Sequence, residues 1–174
     1  MLKFAMMNDE LKQWTIEYAK NKDISAKKLV KVDEKKDCVE FHFKDKVNTH
    51  YIMDKMGDNI FSQITNSNWK TIICPNTEEN FSFLIKNWNK LSGINNLTLI
   101  FVNLKTQDKW IINPKLHSMV ADPDSINSGL KTMFDTANGK IAEVPKGKKK
   151  ASMFEESSNS KEDEENEGDD EDGN

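Results

Sequence analysis

69-WKTIICPNTEENFSFLIKNWNKLSGINNLTLIFV-102 is an apolar run, a helix-period segment and a second apolar run. WKTIIC and LTLIFV are short, rich in β-branched residues and nearly continuous in hydrophobicity, as strands covered on both faces are. Between them Phe81, Leu84, Trp88 and Leu91 recur at helical spacing. Asn76 with Glu79 three residues later makes a capping-box-like start, and Gly93 supplies a stop. A strand, a helix and a strand joined this tightly close into a parallel, right-handed βαβ unit.

On the amino-terminal side, 27-KKLVKVDEKKDCVEFHFKDKVNTHYIMDK-55 reads as three short strands with charged turns at DEKKD and KDKVN. The middle one alternates, with Val39, Phe41 and Phe43 on one face and Cys38, Glu40, His42 and Lys44 on the other. That is the pattern of a half-buried antiparallel strand. Before it, Leu11, Trp14, Tyr18 and Ala19 predict a helix over 9–21, capped by Asn8 and closed by Lys20 and Lys22. DNIFSQITNS predicts a short helix ahead of WKTIIC.

On the carboxyl-terminal side KTQD turns LTLIFV back into KWIIN, and Pro114 ends the pair. A last helix starts at Asp122 or Asp124, buries Ile126, Leu130, Met133 and Phe134, and stops at Gly139. The expected fold class is α+β: a single mixed sheet, an antiparallel meander plus one βαβ unit, with everything outside that unit antiparallel and the helices mainly on one face. Trp14, Trp69, Trp88 and Trp110 sit in apolar periodic contexts, and at least three are expected in the core; Trp110 would be exposed if its strand were an edge.

After Val144 the composition turns to Pro, Gly and Lys, then to Ser and acids. The expectation is one globular domain over 1–144 and a disordered tail over 145–174, Lys-rich at its start and acidic at its end. Residues 155–174 hold eleven acids and one lysine, net −10; the chain totals −4, so residues 1–154 carry +6. A basic body with an acidic tail marks an interaction tail. All 25 basic residues are lysines, so no guanidinium is present to read guanine or clamp a phosphate with two bonds. The wealth of Lys, Asn and Ile suggests an AT-rich, bacterial coding sequence. Two distant cysteines, Cys38 and Cys74, make no disulfide framework. The opening apolar run is too short for a signal peptide, and LTLIFV is far short of a membrane span. A cytoplasmic protein without membrane contact is expected.

No phosphate-binding glycine loop, HExxH, GxSxG or zinc-type Cys/His cluster occurs. The opening order α-β-β-β-α-β resembles, in element order, the core of the PD-(D/E)xK nuclease superfamily. That resemblance implies Mg²⁺ held by a strand Asp and by an acid-x-Lys on the next strand. Asp37 matches the first position, but Asp54 and Lys55 are adjacent and point to opposite faces. The pairs with the right spacing, Asp33 with Lys35 and Glu34 with Lys36, sit in a predicted turn. The departures point to a catalytically silent relative rather than an active nuclease.

Glu40 and His42 share a strand face, and His50 on the next strand joins them only if the register allows. No metal site and no cofactor is expected. The βαβ unit offers a ligand site at the carboxyl ends of its strands, where Cys74, Asn76 and Thr77 meet Asn103 and Lys105 beside a helix amino terminus that favours anions. His117 and Asp122 follow the hairpin and would lie nearby. Function is therefore expected to be that of a small non-enzymatic binding or accessory protein with an unidentified protein partner. The alternatives are an enzyme with a scattered site at that edge and a weak nucleic-acid binder acting through Lys146, Lys148, Lys149 and Lys150.

Overall fold

The computed structural model describes residues 2–63 and 70–140, with side chains over 8–61 and 70–140. Trp69, the Lys146, Lys148, Lys149 and Lys150 patch, the acidic tail and the boundary at Val144 lie outside the described residues.

Twelve elements follow one another: α1 (Leu2–Asp23), β1 (Leu29–Glu34), β2 (Cys38–Phe43), β3 (Val47–Ile52), α2 (Asn59–Gln63), β4 (Lys70–Pro75), α3 (Glu78–Lys86), α4 (Trp88–Ser92), β5 (Leu97–Val102), β6 (Lys109–Ile112), α5 (Pro114–Val120) and α6 (Pro123–Ala137). The six strands form one mixed sheet in sequence order, β1 to β6. The β1–β2–β3 meander and the β5–β6 hairpin are antiparallel, and β4 and β5 are parallel across α3 and α4. β3 and β4 are parallel as well, which corrects the expectation that everything outside the central unit is antiparallel. The connection through α2 carries the chain back to the starting end of the sheet before β4 begins.

Helices cover one face in greater number. Ile72, Cys74, Leu97, Leu99, Phe101, Trp110 and Ile112 point to the side where Ile60, Leu84, Leu91, Ile126, Leu130 and Phe134 pack. α5 lies on the same side, against α4 and α6. The alternate residues Ile52, Ile73, Ile100 and Val102 meet Leu11 and Trp14 of α1 on the other face, while Ile16 and Ala19 continue the contact onto Val39 and Phe41. Each fully buried aliphatic side chain here is worth about 1.5–3 kcal/mol.

Several local expectations need correction. Asn8 lies inside α1 rather than at its start, because LKFAMM ahead of it is rich in good helix formers. The long central helix is two helices. Asn87 interrupts it with a backbone at φ −106° and ψ 15°, outside the helical region, while its side-chain amide donates to the Phe83 carbonyl at 3.0 Å. Thr77, not Asn76, caps α3, accepting from the Asn80 N–H. Gly93 has an ordinary right-handed φ of −73°; the left-handed residue of that turn is Asn96, at 60°. Gly139, at +73°, does act as the stop after α6. Asp122 is the cap of α6, and α5 is a helix that the sequence reading passed over.

Candidate functional site: a lysine-rimmed trough beside helix α1

The carboxyl ends of β4 and β5 do bring Asn76 and Asn103 together, but they meet as parts of the fold. The Asn76 N–H donates to the Val102 carbonyl at 2.8 Å. Its side-chain oxygen accepts from Trp110 Nε1 at 2.8 Å, and its amide donates to the Phe134 carbonyl at 3.1 Å. Asn103 Nδ2 donates to the Ala137 carbonyl at 2.9 Å, and its Oδ1 accepts from the Lys105 N–H at 3.0 Å. Two asparagines thus pin the last turn of α6 to the sheet. Cys74 is fully buried, and burial raises its thiol pKa far above the ordinary range. Lys105 is exposed. His117 Nδ1 lies 2.7 Å from the Asn113 carbonyl, back within α5. Asp122 binds Ser125 through N–H and hydroxyl at the far end of α6, about 18 Å along the helix from Phe134. The geometry therefore groups Cys74, Asn76, Thr77 and Asn103, and leaves His117 and Asp122 elsewhere.

The metal-type residues also sort by register. His50 pairs with Val39 and shares its face, whereas Glu40 and His42 point to the opposite side. Asp33, opposite Glu40 on β1, takes the third place instead. Among the described residues, this is the one group of three side chains within reach of a single ion. Lys31 Nζ stands 2.7 Å from Asp33, Lys35 pairs with Glu40, and His42 Nε2 lies 3.0 Å from Asp33 without hydrogen-bond alignment. The Lys31 ammonium is the main reason the Asp33 carboxyl sits below the usual range. Any ion here would have to displace two ammoniums.

The nuclease-type residues do not converge on a site. Asp37 is exposed at the start of β2, where only its carbonyl is engaged, by the Ile52 N–H at 3.0 Å. Asp54 is half-buried with an unpartnered Oδ1, and burial raises its pKa. Lys55 turns away to Glu79 on α3. No family model, curated protein or solved structure matches the chain.

A concavity lies on the other face, between the last turns of α1 and the amino-terminal ends of β4 and β5. It has a volume of about 550 Å³. Strand register builds its floor: His50 stands opposite Thr71, and Thr71 opposite Thr98. Alternation puts Asn48 on the same face as His50, and Ile100 on the same face as Thr98. A polar row thus crosses the centre of the sheet where α1 no longer covers it. Tyr18 and Ala19 form the helix wall, and Phe43 and Ile111 add apolar surface.

Charge gathers at the rim. Lys22 comes from the end of α1, Lys28 from the following loop, and Lys46 from the β2–β3 turn. Among the described residues Lys22 and Lys46 form no ion pair. Lys28 reaches Asp45 at 3.8 Å, with both side chains largely exposed. Asp23 is engaged differently: its two oxygens accept the N–H groups of Lys28, at 3.1 Å, and Leu29, at 2.8 Å. Burial first, and then the nearby Lys22 ammonium, push the His50 pKa down to about 4. The ring is neutral at pH 7, packed against Phe41 at 4.7 Å between centroids, and its buried Nδ1 has no partner. A stranded polar atom of this kind costs about 1–3 kcal/mol until something pairs with it. The lining contains no cysteine or serine.

Sequence reading missed Lys22, Lys46, Asn48, Thr71 and Thr98 as a group. Thr71 and Thr98 each interrupt an apolar strand at its second residue. Their meeting depends on a register that no local pattern encodes.

Proposed function

We propose that this chain is a non-catalytic binding protein whose partner presents an anionic group to the trough beside α1. The observation that carries this reading is the pairing of Lys22 and Lys46, free of ion pairs among the described residues, with a polar floor of Asn48, His50, Thr71 and Thr98. Full engagement of Asn76 and Asn103 within the fold favours binding over an enzyme at the carboxyl-terminal edge. Among the described residues no helix is long and apolar enough to cross a membrane. Two free thiols, Cys38 and Cys74, suit a reducing compartment and support a cytoplasmic location.

Amide chemical shifts of the full chain, followed while citrate, sulfate and phosphate are titrated at low salt, test the site. Changes are expected at Asn48, Thr71 and Thr98 and not at Asn76 or Asn103. Silence at the first three with every anion overturns the reading, and changes centred on Asn76 would move the site to the helix start expected from sequence.

A further inference from the structure

The make-up of the trough narrows the ligand, on the reading that the trough is an anion site. Three ammoniums, Lys22, Lys28 and Lys46, approach from three separate segments of the chain. A carboxylate offers two oxygens in one plane and a single charge. A phosphate monoester offers three oxygens in tetrahedral directions and close to two charges at neutral pH, so it can meet ammoniums from several sides at once. Lysine serves such a group as a point charge and needs no fork geometry. The rest of the lining is not an extended basic surface. Tyr18, Phe43, Ile100 and Ile111 make one side apolar, and Asn48, Thr71, Thr98 and His50 make the floor polar. At about 550 Å³ the cavity matches one small molecule with a compact body.

We propose that the trough binds a small phosphate monoester whose body lies against the apolar side, the phosphate held by Lys22, Lys28 and Lys46 and the body's polar atoms met by Asn48 and the Thr71 and Thr98 hydroxyls. Asp45 releases Lys28 easily, because that pair is long and exposed. Asp23 accepts two backbone N–H groups but keeps its charge, and with Asp45 it offsets two of the three lysines, which leaves the rim at a net +1.

The same phosphate chemistry occurs in a free nucleotide and in a nucleic-acid strand, and the test separates them. Adenosine monophosphate, adenosine, citrate and octathymidylate are titrated into the full chain by calorimetry, with amide shifts to locate each. Adenosine monophosphate should bind saturably at Asn48, Thr71 and Thr98, about tenfold tighter than adenosine or citrate. Lys22→Ala and Lys46→Ala should each weaken it about fivefold without changing the melting temperature. If citrate binds the trough as well as the nucleotide does, the anion-site reading survives and the phosphate assignment falls. Tighter binding of octathymidylate at the same residues would assign the phosphate to a polymer and overturn the small-molecule proposal. If neither nucleotide nor citrate perturbs the trough, both readings fall together.

Discussion

His50 is the residue where the chain's pattern and its environment disagree most. An imidazole sits beneath α1 against Phe41, and burial with Lys22 nearby holds its pKa at about 4. Its ordinary value is 6.5, so below that pH the unfolded chain takes up a proton that the folded chain refuses until about pH 4. Stability should therefore fall as pH drops through this window, by about 3 kcal/mol in total. Replacing His50 with Leu removes both the titration and the unpartnered nitrogen. Urea melts between pH 7 and 4.5 should show a shallower loss for His50→Leu than for the wild type; parallel curves would mean that His50 ionises freely. Asn80 is a second such residue, and nothing in its sequence context announces it. It is 1% exposed, its Oδ1 accepts from the Met56 N–H, and its amide donates to the carbonyls of Asp54 and Pro75. Asn80→Ala leaves the Met56 N–H and the Asp54 carbonyl without this partner, while the Pro75 carbonyl keeps the Thr77 N–H, and should cost about 2–4 kcal/mol in a denaturant melt.

Among the elements, α3 shows what local rules can and cannot place. Its inner stripe and its approximate start are legible, since Phe81 and Leu84 recur at helical spacing behind a polar cluster. The cap is not, because Asn76 and Thr77 are both good caps and only the packing of Trp110 assigns Asn76 another duty. The two positions should separate in chemical denaturation. Thr77→Ala loses one exposed-side cap bond, worth about 1 kcal/mol. Asn76→Ala strands Trp110 Nε1 in the interior, while the Phe134 carbonyl keeps the Asn138 N–H, a loss worth about 2–3 kcal/mol. Equal losses would return Asn76 to the role of cap. The break at Asn87 was invisible for a related reason: Trp88 and Leu91 keep helical spacing, and only the Asn87 backbone, at φ −106° and ψ 15°, marks the interruption. α5 did carry a readable signal in Asn113 followed by Pro114, a cap residue ahead of a proline at the first helical position.

At the scale of the whole molecule, every apolar-periodic segment ends before Val144. A chain ending at Lys146 should melt within a few degrees of the full chain, and a large drop would show that the remainder contributes to the domain. The charge division makes a separate prediction. Residues 155–174 carry −10 against +6 for the rest, so removing them should strengthen binding to heparin at low salt. The gain should fade as salt rises, since the Debye length is only about 8 Å at physiological ionic strength. Equal affinity with and without residues 155–174 at low salt would show that the acidic run does not compete for the lysines of the body.

The sequence by itself determined the classes of element and most of their order. Period-two alternation in β2, continuous apolar runs in β4 and β5, and helical stripes in α1, α3 and α6 are local patterns, and each reports which side of its own element is buried. It also determined the charge division and the lack of arginine. Only the tertiary structure decided the parallel pairing of β3 with β4, the face on which His50 lies and the meeting of Thr71 with Thr98. Register is a relation between strands distant in the chain, and a shift of one residue exchanges the faces of every side chain. The trough exists because α1 leaves one end of the sheet uncovered while three lysines from separate segments converge there, and no stretch of sequence contains that arrangement.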